Sequence, residues 1–215
     1  MIGRRLTALA AGLALTVATA LVAAAPASAD SGKKPQLGTR SLAAVLAKDG
    51  SGFDRNWNDY DIVDNAVQAV LAANPDSPVA VLADGSVALT AFLPTDRAFR
   101  NLARDLTGDS FSSESAVFST LAGALGVETI ENVLLYHVVP GATVTYRQAL
   151  RSDGAVLDTA LPGATIKIKK RYYVFVQIVD QDPDAKNAWV VQPNINKGNR
   201  QIAHGISQVL RPVDL

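Results

Sequence analysis

The sequence predicts a segregated α+β fold, on three observations. Apolar residues recur at three- and four-residue spacing in the first half, as in Ile62, Val63, Ala66, Val67, Val70 and Leu71. After residue 165 the spacing changes to two, and β-branched and aromatic residues gather in short runs. The two patterns follow one another instead of alternating, which favours helices packed beside strands over an alternating parallel sheet.

The 29 N-terminal residues read as a secretory signal, with Arg4 and Arg5 ahead of an apolar, alanine-rich run and Ala27-Ser28-Ala29 as the cut site. A membrane anchor is the competing reading, because the run approaches the roughly 20 residues that span a bilayer. The Ala-x-Ala site, and the dilution of the run by Thr7, Thr16 and Thr19, favour cleavage after Ala29. Residues 30–38 mix Gly, Pro and Lys and read as a linker, so one domain is expected over 39–215. With no cysteine among 215 residues, core packing has to stabilise that domain without disulfides. Basic and acidic residues are equal at 20 each, and losing Arg4 and Arg5 leaves the remainder slightly acidic. Nucleic acid is therefore not an expected partner. A secreted or cell-wall-associated monomer without a transmembrane segment is the expectation.

Each element has its own signal. Residues 41–48 make a short helix with Leu42, Val45 and Leu46 on one face. A second helix starts at Asp59 or Asp61, whose carboxylate suits the helix N-terminus, and stops at Asn74-Pro75. Residues 79–82 and 87–93 flank Asp84-Gly85 as the arms of a tight hairpin. Thr95-Asp96 then caps a helix carrying Ala98, Phe99, Leu102, Ala103 and Leu106, which Gly108 closes. Ser112 or Ser113 opens the next helix, with Val117, Phe118, Leu121 and Leu125, and Thr129 opens a further one. Residues 134–141, Leu-Leu-Tyr-His-Val-Val-Pro-Gly, place Tyr136 and His137 in an apolar run where both need buried partners. Thr145 caps a short helix to Leu150, and Asp153-Gly154 makes a turn. Strands follow at 165–169, 172–179, 188–191 and 206–210.

Three of these stretches together resemble the fasciclin domain, an extracellular adhesion module. Thr90-Ala-Phe92-Leu-Pro94-Thr95-Asp96-Arg-Ala-Phe99 is similar to its first signature, and Tyr136-His137 to its central element. Asn199, His204, Ile206, Val209, Leu210 and Pro212 are similar to its closing signature. The resemblance implies a β-sandwich wedge with helices packed around it, and a role in adhesion or matrix association. Partners of that kind are a cell-surface or matrix protein or a polysaccharide, and the motif residues are structural or adhesive. The closing signature departs from the family pattern at Arg200 and Ser207. Gln192-Pro193-Asn194-Ile195-Asn196 carries amides where animal members carry the acids of an integrin motif, which removes the carboxylate such a receptor would use.

No catalytic set is legible. Gly108-Asp109-Ser110 resembles the nucleophile block of one esterase group, but it follows a helix, and neither histidine has an aspartate three residues before it. Asp180-x-Asp182-x-Asp184 copies the start of a calcium loop, yet Ala185 replaces its glycine and Val191 its closing glutamate, so a solvated acidic turn is expected. Two distant histidines without cysteine make a poor zinc set. No catalytic, cofactor-binding or metal residue is therefore assigned. Lys167, Lys169, Lys170 and Arg171 beside Tyr172 and Tyr173 suit either anionic polymers and glycans or one wet face of a strand. Trp57 and Trp189 suit sugar contact or core packing. The function expected is a non-enzymatic adhesion or cell-wall-binding module. The alternatives are a carrier of a small apolar ligand or, behind it, a hydrolase.

Overall fold

In a computed structural model the described residues are 36–48, 50 and 52–214. The expected signal peptide and most of the expected linker lie outside them. Five helices and seven strands follow in order: α1 (Ala43–Leu46), α2 (Asp61–Ala73), β1 (Leu89–Pro94), α3 (Asp96–Thr107), α4 (Glu114–Tyr136), β2 (Val138–Pro140), α5 (Tyr146–Ala149), β3 (Val156–Asp158), β4 (Thr165–Arg171), β5 (Phe175–Val179), β6 (Ala188–Ile195) and β7 (Gln201–Ile206).

The sheet runs β2-β1-β7-β6-β5-β4-β3. Its one parallel pair is β1 with β7, registered Thr90 to Ile202 and Phe92 to His204. Strand β6 links the two halves: Ala188 and Trp189 pair with β5, whereas Val190, Gln192 and Ile195 pair with β7 through two register shifts. Such bulges bend and twist a strand. Just past β3, the Ala160 N–H donates to the Val138 carbonyl at 2.7 Å, so the sheet wraps nearly into a barrel.

Alternation along β1 assigns its two faces. Leu89, Ala91 and Leu93 join Leu42, Ile62, Val70, Leu102, Val117 and Val133 in a core beneath the helices. Phe92 points the other way, into the wrapped sheet, with Tyr136, Ile166, Ile168, Val176, Ile178, Ile206 and Leu210. The two layers meet along β1, and both faces of that strand are buried throughout.

Several local expectations are corrected. The hairpin around Asp84-Gly85 does not form: Pro78–Ala83 is a 3₁₀ turn, started by Pro78 and capped by Ser77, whose Oγ accepts from the Val79 N–H. Its 79 and 82 positions stack inward, as three-residue repeats do. The helix break expected at Thr129 falls at Gly126, whose φ of 74° no L side chain adopts comfortably. The strand expected at 172–179 begins only at Phe175, because Tyr172 and Tyr173 form the preceding turn. The last strand is 201–206 instead of 206–210. Gly38, expected in the linker, already pairs with Asn199.

The acidic run at 180–184 is a turn that is only partly solvated: Gln181, Pro183 and Asp184 are exposed, but Asp182 is buried. Asp182 is 3% exposed, and its Oδ1 accepts from the Asp184 and Ala185 N–H groups. Arg211 neutralises this run: its guanidinium lies 3.6 Å from Asp182 and 2.9 Å from Asp105, and its backbone N–H donates to Asp180.

Candidate binding site

Most of the motif residues are buried. Thr90 is fully buried, donating its Oγ1–H to the Ala142 carbonyl and accepting from the Val144 N–H, so it pins the chain after β2 to β1. Pro94 ends β1, and Thr95 sits at the N-cap of α3 without a side-chain capping bond. Phe99 is in the helical core. Asp96 serves a different helix from the one it opens. Its carboxylate accepts from the Ile62 N–H at 2.9 Å and the Asp61 N–H at 3.3 Å, capping α2, where the expectation was that Asp59 or Asp61 would do so.

Tyr136 and His137 occupy the end of α4, with opposite duties. The Tyr136 hydroxyl donates to the Thr165 carbonyl at 2.8 Å and accepts from the Gln181 N–H at 3.0 Å, tying the helix to the start of β4 and the end of β5. His137 Nδ1–H donates to the Val133 carbonyl at 2.7 Å, and Nε2 accepts from the Leu210 N–H at 2.9 Å. The partners fix the tautomer, since a carbonyl only accepts and an N–H only donates. Complete burial drives the imidazole down to about 4, so it is neutral at physiological pH.

In the closing signature, Asn199 accepts from the Arg40 N–H and donates to Asn196. His204 stacks on Phe92 at 5.9 Å. Its Nδ1 accepts from the Asn194 N–H, and Nε2–H donates to the Val144 carbonyl. Ile206 is fully buried, while Pro212 lies at the half-buried edge. Both rings of the two histidines thus spend both nitrogens on the main chain, which leaves neither as a general base. Gln192 accepts from the Tyr60 hydroxyl and Asn194 from the Tyr146 N–H, so the amides in the integrin-motif position hold the β6 bulges.

The apolar gap between α2, α3 and α4 holds about 30 Å³. Pockets for small molecules take roughly 300–1,000 Å³, so this gap has no room for carried cargo.

Among the described residues, the β4–β5 hairpin gathers exposed aromatic and basic side chains. The Val174 N–H closes its turn onto the Arg171 carbonyl, with Tyr172 at φ 47° and Tyr173 at φ 67°. Both central residues in the left-handed region define the turn that normally takes Asn-Gly. Tyr172 and Tyr173 are 79% and 89% exposed. Phe175 meets Trp189 edge-on at 6.4 Å, and an open cleft of about 460 Å³ is lined by Lys170, Arg171, Tyr172, Gln177 and Trp189. The basic and aromatic residues were visible in the sequence, whereas their convergence with Trp189 depends on the pairing of β5 with β6 and has no sequence signal.

A second cluster went unread. Asp59, Asp96 and Glu114 come from three separate segments, each flanked by apolar or polar residues, and all three are buried. Burial, the hydrogen bond to Asp59 and its charge raise the Asp96 carboxyl well above the usual carboxylate range, and burial raises Glu114.

The fasciclin domain model matches residues 65–212. A search of curated proteins gives no match. Among solved structures the chain is similar to a FAS1 domain pair from the insect cell adhesion molecule fasciclin I, at 14% identity and a TM-score of 0.53, over 81% of this chain. It spans about half of that two-domain chain, at 51%. The family model covers more than half of the chain, and the chain belongs to the fasciclin domain family.

Proposed function

We propose that the chain is an extracellular, non-catalytic binding module that attaches to an anionic polysaccharide of a cell wall or matrix through the cleft of the β4–β5 hairpin. The observation that carries this reading is the turn itself. Two tyrosines stand in left-handed backbone at a position suited to Asn-Gly, which costs roughly 1–2 kcal/mol per residue. Nothing in the fold uses their rings, which are among the most exposed apolar side chains described. Strain kept without a packing return is a mark of function. Aromatic faces suit sugar rings, while Lys169, Lys170 and Arg171 suit carboxylate, sulfate or phosphate groups on the polymer. The family's usual place at the cell surface, and the spent ring nitrogens of His137 and His204, support binding over catalysis.

The double variant Tyr172→Asn, Tyr173→Gly tests this, because it separates function from folding. It is expected to raise stability by up to about 2–4 kcal/mol, the summed strain of the two residues, while abolishing retention on an anionic polysaccharide column. Retention unchanged from wild type sinks the reading, as does equal binding to neutral and anionic polymers. Capture by a surface protein alone, with no polysaccharide retention, also overturns it. Export belongs to the proposal too, and N-terminal sequencing of protein from the culture medium is expected to begin at Asp30.

A further inference from the structure

Three chain segments converge on a point beneath the α2 N-terminus. The 53–60 segment brings Asp59, the first turn of α3 brings Asp96, and the first turn of α4 brings Glu114. Each offers a carboxylate oxygen within 4.8 Å of the other two. Asp54, Asp59 and Asp61 form a second trio by the same measure, so the two groups share Asp59. The main chain locks this geometry: the Asp96 N–H donates to the Asp59 carbonyl, the Arg97 N–H to the Trp57 carbonyl, and the Asp54 N–H to Glu114 Oε2 at 2.7 Å.

The independent observation is two oxygens without partners. Asp59 is 7% exposed and Glu114 0%, yet Asp59 Oδ1 and Glu114 Oε1 are buried with no hydrogen bond. Buried carboxylate oxygens need a donor or a cation. Arg211 pairs with Asp105 and Asp182, on other elements, and among the described residues no arginine or lysine pairs with Asp59, Asp96 or Glu114.

We propose that Asp59, Asp96 and Glu114 form a structural site for a divalent cation of the calcium type. The donor set is all oxygen, without nitrogen or sulfur, which selects hard cations over zinc. Oxygens facing each other across calcium are about 4.6–5.2 Å apart, from its usual bond lengths, which accommodates the observed spacing. A cation here would clamp the starts of α2, α3 and α4 together, all of which lie in the helical layer away from the hairpin cleft.

The full chain, freed of metal with chelator, is melted in calcium, magnesium or zinc at matched ionic strength, and terbium emission is read with excitation at tryptophan. Calcium at about a hundred times its dissociation constant is expected to raise Tm by roughly 5–10 °C, and chelator to reverse it. Terbium should show sensitised emission, displaced by calcium. Asp59→Asn and Glu114→Gln are expected to abolish both effects, and the emission reports binding at low temperature even where a variant melts early. No calcium response in wild type, a larger response to zinc, or a calcium response that survives both variants overturns the proposal. So does a rise in Tm in both amide variants without any terbium signal, which is the behaviour of carboxyls that share protons instead of a metal.

Discussion

His137 shows how a residue that looks reactive in sequence is used as a main-chain substitute. At the end of α4 the His137 N–H bonds to the Leu134 carbonyl, which leaves the Val133 carbonyl open, and the imidazole fills it. Replacing His137 by Ala strands that carbonyl and the Leu210 N–H, each worth roughly 1–3 kcal/mol, so a loss of roughly 2–6 kcal/mol is expected in denaturant melts. The pH dependence follows from the depressed value. The unfolded chain takes up a proton near 6.5 and the folded one only near 4, so His137 contributes fully above 6.5 and its contribution is lost as pH falls towards 4. Over that window the gap between wild type and His137→Ala should narrow by up to ~3 kcal/mol. Asp180, raised to about 6 by burial, acts in the opposite sense, stabilising as pH falls below 6. Wild type and variant must therefore be compared at each pH, and a constant gap between pH 7 and 4 would contradict the buried neutral ring. Tyr136→Phe strands the Thr165 carbonyl and the Gln181 N–H, and is expected to cost roughly 1–3 kcal/mol with little pH dependence below 8.

At the scale of elements, what the sequence disclosed depended on whether the signal was local. The helices α2 and α3, the capped α5 and the alternating β4 were legible, because apolar spacing and capping residues act within a few positions. The hairpin read around Asp84-Gly85 failed for a tertiary reason. Gly85 is small because the backbone of Thr39 and Ser41 presses against it, where any Cβ would overlap the Thr39 carbonyl. It therefore marks the crossing of two chain segments instead of a turn between strands. Gly85→Ala is expected to destabilise the fold by more than the half kilocalorie typical of an exposed loop change, on the order of 2–3 kcal/mol, and to loosen residues 36–42 in hydrogen exchange. Of the candidate sites, the basic and aromatic hairpin was legible as composition. The acid trio was not, because Asp59, Asp96 and Glu114 are each an unremarkable helix-start residue until tertiary packing brings them together.

At the scale of the whole molecule, the family match begins at residue 65, inside α2, while the described fold begins at residue 36. The difference is structural. Leu42, Ile62 and Val63 are nearly inaccessible in the helical core, and the Leu42 N–H donates to the buried Gln201 side chain of β7 at 2.7 Å. The Gly38 N–H donates to the Gly198 carbonyl and the Gly38 carbonyl accepts from the Arg200 N–H around the β6–β7 turn, where Arg40 also bonds to Asn196 and Asn199. Residues 36–64 thus close one edge of the structure and supply the first turn of α2, with Asp59 beside it. Burying each large aliphatic side chain contributes roughly 1.5–3 kcal/mol, so losing Leu42, Leu46, Ile62 and Val63 removes an amount comparable to the roughly 5–15 kcal/mol by which whole domains are stable. A chain trimmed to 65–212 is therefore expected to lack a cooperative thermal transition and near-ultraviolet dichroism, whereas 36–215 melts in one step. If the trimmed chain melts cooperatively within a few degrees of the longer one, the N-terminal segment is an accessory to the fold and the boundary belongs at residue 65.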